Sequence, residues 1–583
     1  MADANRRLIR GGTVYDGTGG DGRALDVLVE DGRVTALLSR SADAPADAEV
    51  VDATGCWVTP GFVDLHTHYD AEVEITPALG ESLRHGVTTV MLGSCGLSMA
   101  VGDPEDLADM FCRVEGIPRS TVKPLLERVK SWADPPAYLD HLGGLALGPN
   151  VAAMLGHSTI RAHTMGLGRS VTKGERPTRD ELTQMEGLLR ESLDAGYLGL
   201  SINTLPWDKL DGDQYRSHPT PSVYASWAEY RRLTRILRER GRVFQGVPNV
   251  MTKVNTLLFL LEGTGVFRRP LKTTFIALID AKAARMAFRL VGCLTRMCNA
   301  LLGGNIRVQA LPNEFDLWSD GMEVPVLEEI GAGTEALHLT DEASRAELLR
   351  DPAYRKRFKR QWGNEIFGRA YHRDLDEARI MVAPDPALAG RTFGELARER
   401  GQDPVDTFLD LMAEHGSALR WHSVVGNDRP EWLRWILTRP DILVGFSDAG
   451  AHLRNMAFYN FPLRMLRFVH ESEQQGAGFM TVGEAVRRLT SEIADWFGLD
   501  AGRITEGGRA DLVVIDPAGL DEQLDSIVEM DMPGFDGLRR LVRRNDGAVR
   551  AVLVNGRLAY EGGRPRPELG VERGFGSVLR AAG

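Results

Sequence analysis

Three short stretches between Pro60 and Gly450 each run from apolar, strand-like residues into a side chain able to hold a metal ion. The first is Pro60-Gly61-Phe62-Val63-Asp64-Leu65-His66-Thr67-His68. The second begins Gly86-Val87-Thr88-Thr89-Val90 and reaches Gly93-Ser94-Cys95-Gly96; the third is Gly445-Phe446-Ser447-Asp448-Ala449-Gly450. A strand that delivers a ligand at its carboxyl end is how a parallel (β/α) barrel builds a catalytic site.

The rest of the chain supplies matching units. Strand-like runs at 150–157, 197–203, 242–249, 272–279, 305–312 and 441–448 are separated by helix-like segments such as 179–195 and 226–241. With the first two strands they make eight β-then-α units, the number a closed barrel requires. The gap 313–440 is too long for one connection and predicts an inserted subdomain, helical around 341–358 and 404–415. Residues 419–425 are a further strand candidate, able to displace 305–312 as the seventh.

Residues 8–58 read as short strands, with Asp31-Gly32 between apolar runs signalling a hairpin, and 510–516 and 549–556 look alike. The expected fold class is α/β: a (β/α)8 TIM-like barrel over 59–503 with a helical insertion, and a small β-sandwich domain built from both termini, 1–58 and 504–583. The Ala/Asp/Ser-rich 39–48 reads as a flexible loop.

Bulk properties set outer limits. A chain of 583 residues accommodates one large domain plus an accessory. A net charge of −12 argues against nucleic acid or an anionic membrane as an electrostatic partner. No apolar run approaches a transmembrane helix, and the first seven residues lack a signal-peptide core, so a cytoplasmic location is expected, as is a homo-oligomer. Five cysteines, an odd count, make no disulfide framework. Cys56 reads as a buried thiol, and Cys293 and Cys298 are five apart in a helix-like stretch, on different faces. Only Cys95, between small residues at a strand end, invites chemistry.

Side chains alternate along a strand, so His66 and His68 point the same way and Thr67 the other. Two neutral imidazoles at that separation can chelate one divalent ion, and imidazole suits zinc. A lone His-x-His is more often a surface pair; the Pro-Gly turn and the buried-type Phe62-Val63 ahead of this one raise it above that. Asp448 also ends a strand. It could cap a helix, but the small, irregular Ala449-Gly450-Ala451-His452 favours a carboxylate that serves as general base to a metal-activated water. Cys95 reads equally as a thiolate ligand or a small buried hydrophobe. His157 and His422, both in strand-like runs, are candidate ligands or substrate donors, and Arg454 is a candidate partner for a substrate carboxylate.

These motifs, with the closing Gly508-Arg509-Ala510-Asp511-Leu512-Val513, resemble the amidohydrolase superfamily across nearly the whole chain. Gly93-Ser94-Cys95-Gly96 after the second strand resembles its N-acyl-D-amino-acid deacylase (D-aminoacylase) branch. The resemblance implies a zinc-dependent hydrolase of a C–N amide bond. His66, His68, Cys95 and Asp448 would be its metal-site residues, and Asp448 the proton shuttle. That branch carries histidine ligands at the ends of strands five and six, whereas 242–249 and 272–280 here contain none. Gln245 is a candidate in strand five, although an amide is a poorer zinc ligand than imidazole. Either one ion, the expectation here, is held by the surviving groups, or His157 or His422 substitutes from elsewhere. The expected substrate is a small amide such as an N-acyl (D-)amino acid. A hydrolase of cyclic amides and a metal-free relative with a binding or assembly role are the alternatives.

Overall fold

The computed structural model describes residues 6–40, 45–250, 252–364 and 369–581. Part of the expected loop 39–48, residues 41–44, lies outside them.

Eight parallel strands form the central barrel: β1 (Phe62–Asp64), β2 (Val87–Leu92), β3 (Asn150–Ala153, continued by Leu155–Gly156), β4 (Gly199–Asn203), β5 (Val243–Val247), β6 (Lys272–Phe275), β7 (Asn305–Ala310) and β8 (Ile442–Val444). Each pairs with the next in parallel register. The ring closes where Leu65 N donates to Gly445 O at 3.0 Å and Asp448 N donates to His66 O at 3.2 Å. Strands β2, β4, β5 and β8 are buried at every residue, the consequence of helices outside and packed side chains inside.

The surrounding helices begin and end where their sequences dictate. In Arg179–Ala195, Thr178 and Glu181 form a reciprocal capping box, Gly196 ends the helix at φ 105°, and Met185, Leu189 and Leu193 recur on the buried face. Loss of such a cap costs about 1 kcal/mol.

Between β7 and β8 sits the insertion, with its own core of residues such as Phe358, Trp362, Phe408 and Trp421. It is not purely helical. Phe315–Asp320, Arg420–Gly426 and Arg379–Val382 form a three-stranded antiparallel sheet beside helices that include Glu342–Arg350 and Pro404–His415. The expected strand at 419–425 exists, but in this sheet, and β7 keeps the seventh barrel position. Trp421, Ser423 and Val425 are buried while the residues between them are half-buried. That alternation suits a sheet with one wet face, not a barrel strand covered on both.

Strands from both ends of the chain join in one ten-stranded sheet, in which Trp57–Pro60 pairs antiparallel with Leu512–Ile515. The Asp31-Gly32 hairpin is present, with φ of 46° and 79° as a type I′ turn requires. A C-terminal hairpin, Ile527–Asp531 with Arg539–Arg543, reaches back over the barrel. There Leu541 N donates to Leu453 O at 2.8 Å, and the Arg543 guanidinium pairs with Asp316 at 2.5 Å.

Candidate metal centre

The chain leaves β1 with Asp64 turned into the protein. Its carboxylate accepts from His66 N at 3.3 Å and Ser447 N at 3.2 Å, and from the Ser447 hydroxyl. Asp64 thereby ties the segment after β1 to the segment after β8, setting His66 and Asp448 at a fixed separation. Burial pushes its carboxyl up to about 7, against the pull of the Ser447 hydrogen bonds. Thr67 turns the other way and donates its hydroxyl to Met91 O at 2.8 Å, as strand alternation predicts. Gly450 has φ 88°, and a Cβ there would lie 2.3 Å from His68 O, so only glycine lets the two segments approach this closely.

His66, His68 and Cys95 are all buried, and their ligand atoms lie within 4.8 Å of one another. His66 Nε2 is 3.2 Å from Cys95 Sγ and 3.7 Å from Asp448 Oδ1, and His68 Nε2 is 3.4 Å from the same oxygen. Zinc bonds of about 2.0–2.3 Å in tetrahedral array place neighbouring donors about 3.3–3.6 Å apart. These three spacings lie close to that range, so His66, His68 and Cys95 fit a single divalent ion, with Asp448 Oδ1 within reach of both imidazoles.

Polar saturation points the same way. Asp448 Oδ1 is buried with no hydrogen-bond partner, an expensive state for an oxygen that nothing else balances. His66 Nδ1 lies 3.1 Å from Gln309 Oε1 on β7; donating there leaves Nε2 with its lone pair free. Burial holds His66 down to about 4 and His68 well below the usual range, so both are neutral, as ligands must be. Asp448 is raised to about 7, first by burial and then by the nearby charge of Asp208. Cys95 and Asp448 both occupy the left-handed region, at φ 53° and 58°. Such backbone strain gathers at functional positions.

The other candidates lie elsewhere or play different parts. His157 opens the helix His157–Met165, and its ring nitrogens are 2.9 Å from Ser222 Oγ and 3.1 Å from Glu229 Oε1. Both nitrogens are thus engaged away from the cluster. His422 sits in the insertion sheet, 3.0 Å from Asp316 Oδ2, and is not brought to the centre. Gln245 is buried on β5 with Oε1 unpartnered, directly opposite Thr274 on β6. Arg454 pairs with Asp320 at 2.8 Å and with Glu529, which offset its charge.

A cavity of about 500 Å³ opens between the barrel mouth and the insertion. Its wall includes Asp208 and His452, which act electrostatically on Asp448 and His68 respectively, together with Lys209, Glu328 and Arg454. Sequence reasoning passed over Gln309, Asp208 and Lys209. Asp208 and Lys209 lie in the loop just beyond β4, a position where charged residues warrant scrutiny in any barrel. Gln309 gave no signal, because its role exists only once β7 lies beside β1's ligands.

Fold and donor cluster together are those of (β/α)8 barrels built to hold a divalent ion at their strand ends. The amidohydrolase family model matches residues 49–228. The chain is 46% identical over 561 residues to an uncharacterised protein of Mycobacterium tuberculosis, covering 96% of this chain and 92% of that one. It is 26% identical over 531 residues to a D-aminoacylase of Alcaligenes xylosoxydans xylosoxydans, covering 88% of each. The solved N-acyl-D-glutamate deacylase of Bordetella bronchiseptica, complexed with zinc and a phosphonate inhibitor, superposes with a TM-score of 0.62 at 24% identity, over 98% of this chain and 99% of that one. The chain belongs to the amidohydrolase family.

Proposed function

We propose that the protein is a zinc-dependent amide hydrolase that deacylates an N-acyl amino acid, with one metal ion per chain. The cluster of His66, His68 and Cys95, with ligand atoms within 4.8 Å of one another and Asp448 Oδ1 at 3.7 and 3.4 Å from the two imidazoles, carries this reading. The D-aminoacylase and the zinc-bound deacylase among its relatives support the substrate class and the metal.

When bound, the ion supplies positive charge that acidifies water and polarises a carbonyl. The chain's own residues do the rest. Asp448, whose Oδ1 lies beside both imidazoles, takes a proton from the attacking water and returns it to the departing nitrogen. Gln309 fixes the His66 ring so that Nε2 faces the centre. Asp64 and Ser447 keep the proton shuttle aligned with the imidazoles. In the cavity, Lys209 is nine-tenths buried, and no carboxylate among the described residues lies within ion-pair distance of it. Its charge is available for the carboxylate of an N-acyl amino acid, a group that an unsubstituted hydantoin lacks.

Asp448→Asn, assayed for metal content and for turnover of N-acyl-D-amino acids, their L-enantiomers and cyclic ureides, tests the reading. Turnover of the preferred open-chain substrate is expected to fall about 10²–10⁴-fold. Unchanged hydrolysis in the variant would end the assignment.

A further inference from the structure

The helices that follow β5 and β6, Lys253–Gly263 and Ala287–Leu301, show apolar side chains on the side turned away from the barrel. On the first, Val254, Leu257 and Leu261 are exposed at a spacing that makes one helical face. On the second, Leu290, Met297 and Leu301 do the same, Leu301 at 74% exposure. Their inner faces are apolar as well, with Phe259, Leu260 and Phe288 buried in the main core. Apolar residues on the outward face as well as the inward one exceed what packing against the barrel requires.

The connecting loop extends the same surface. Gly265 N donates to Leu302 O at 2.9 Å, which brings the loop to the end of the second helix. There Phe267 stands fully exposed, with φ 57°, next to Arg268 and Arg269, which are exposed too. Segment 250–302 carries eight lysines and arginines and two acidic residues, Glu262 and Asp280, in a chain of net charge −12; Lys282, Arg285 and Arg296 pair with Glu377, Asp428 and Asp441 from outside it, whereas Arg269 and Arg289 have no ion pair among the described residues. Both acids are buried, at 4% and 0% exposure, and held by arginines. Among the described residues this segment therefore shows solvent apolar and basic side chains with no exposed carboxylate.

We propose that this face docks on an anionic lipid surface, with the two helices lying in the interface plane and Phe267 inserted among the acyl chains. Exposed aromatic and aliphatic groups bordered by arginines match a negatively charged headgroup layer over hydrocarbon. A second copy of the chain fits less well. A two-fold contact through this face would bury Arg268 and Arg269 against a second copy of the same segment, which offers no exposed acid to pair with them. The whole-chain charge argued against such a surface, but charge here is segregated: the acidic remainder turns the basic face toward the lipid. The helices run alongside the barrel, so its mouth stays open to solvent.

Sedimentation of the full-length protein with phosphatidylglycerol/phosphatidylcholine vesicles, against phosphatidylcholine alone, tests this. The protein is expected to pellet with the anionic vesicles at low salt, weakly at 0.5 M salt, and not with the neutral ones. The double variant Phe267→Ser, Leu301→Ser is expected to lower the partition about tenfold or more, with an unchanged melting profile because both side chains are already in solvent. No pelleting with anionic vesicles, equal pelleting with neutral ones, or an unaffected double variant would overturn the proposal. So would a dimer that the double variant dissociates while vesicles go unbound, since the face would then join two copies of the chain.

Discussion

Strands β1, β2, β7 and β8 send His66, His68, Cys95, Gln309 and Asp448 toward one point, and these groups lie within bonding reach of a shared ion or of one another. On the opposite side of the same barrel, β5 and β6 offer Gln245 and Thr274, whose buried Oε1 and Oγ1 find no partner. Both sides are polar and enclosed, yet of the two only the first holds imidazoles and a cysteine thiol. Enclosure alone therefore does not make a metal site; donor identity does. On the proposed reading, one ion belongs to the β1/β8 side and the β5/β6 side is polar wall.

The largest effect should come from breaking the β1/β8 side. His68→Ala is expected to lose bound metal and reduce hydrolysis to background, whereas Gln245→Ala keeps one ion per chain; elemental analysis beside turnover separates them. Gln309→Ala should act through the His66 ring, weakening metal affinity about 10–100-fold in chelator competition without removing a ligand. His157→Ala offers the contrasting control. It strands the buried Glu229 carboxylate, which keeps only Arg161 at 3.0 Å, so stability should drop about 1–3 kcal/mol with metal content unchanged. Denaturant titration reads the first quantity and elemental analysis the second.

The smallest expected effect is in pH dependence. Asp448 and Asp64 are both raised to about 7 by burial, above an unfolded value of about 3.9. A carboxyl raised on folding contributes stability that is full below its unfolded value and lost as pH rises through its folded one. Metal-free protein should therefore melt at progressively lower temperature between about pH 4 and pH 7. Asp448→Asn should flatten that slope, and thermal melts across the range would show it.

Much of the β1/β8 side was legible in the chain because strand geometry ties identity to position. His66 and His68 share a face by alternation, and Asp448 follows a wholly buried strand, so their convergence needed only a closed barrel. Cys95 was ambiguous alone; its thiol 3.2 Å from His66 Nε2 is a fact of packing. His157 and His422 misled because a strand-end histidine carries the same local signal whether it faces a metal or a carboxylate, and here Glu229 and Asp316 claim them. The insertion's sheet was partly visible in the alternation around Trp421. Its separation from the barrel depends on antiparallel pairing with Phe315–Asp320, about 100 residues away, as in Trp318 opposite His422.

An anomalous-difference map from crystals grown with zinc tests the central claim most directly. One peak per chain is predicted, surrounded by His66 Nε2, His68 Nε2, Cys95 Sγ and Asp448 Oδ1, with nothing beside Gln245. A peak at β5 and β6, or none among the four donors, would contradict it.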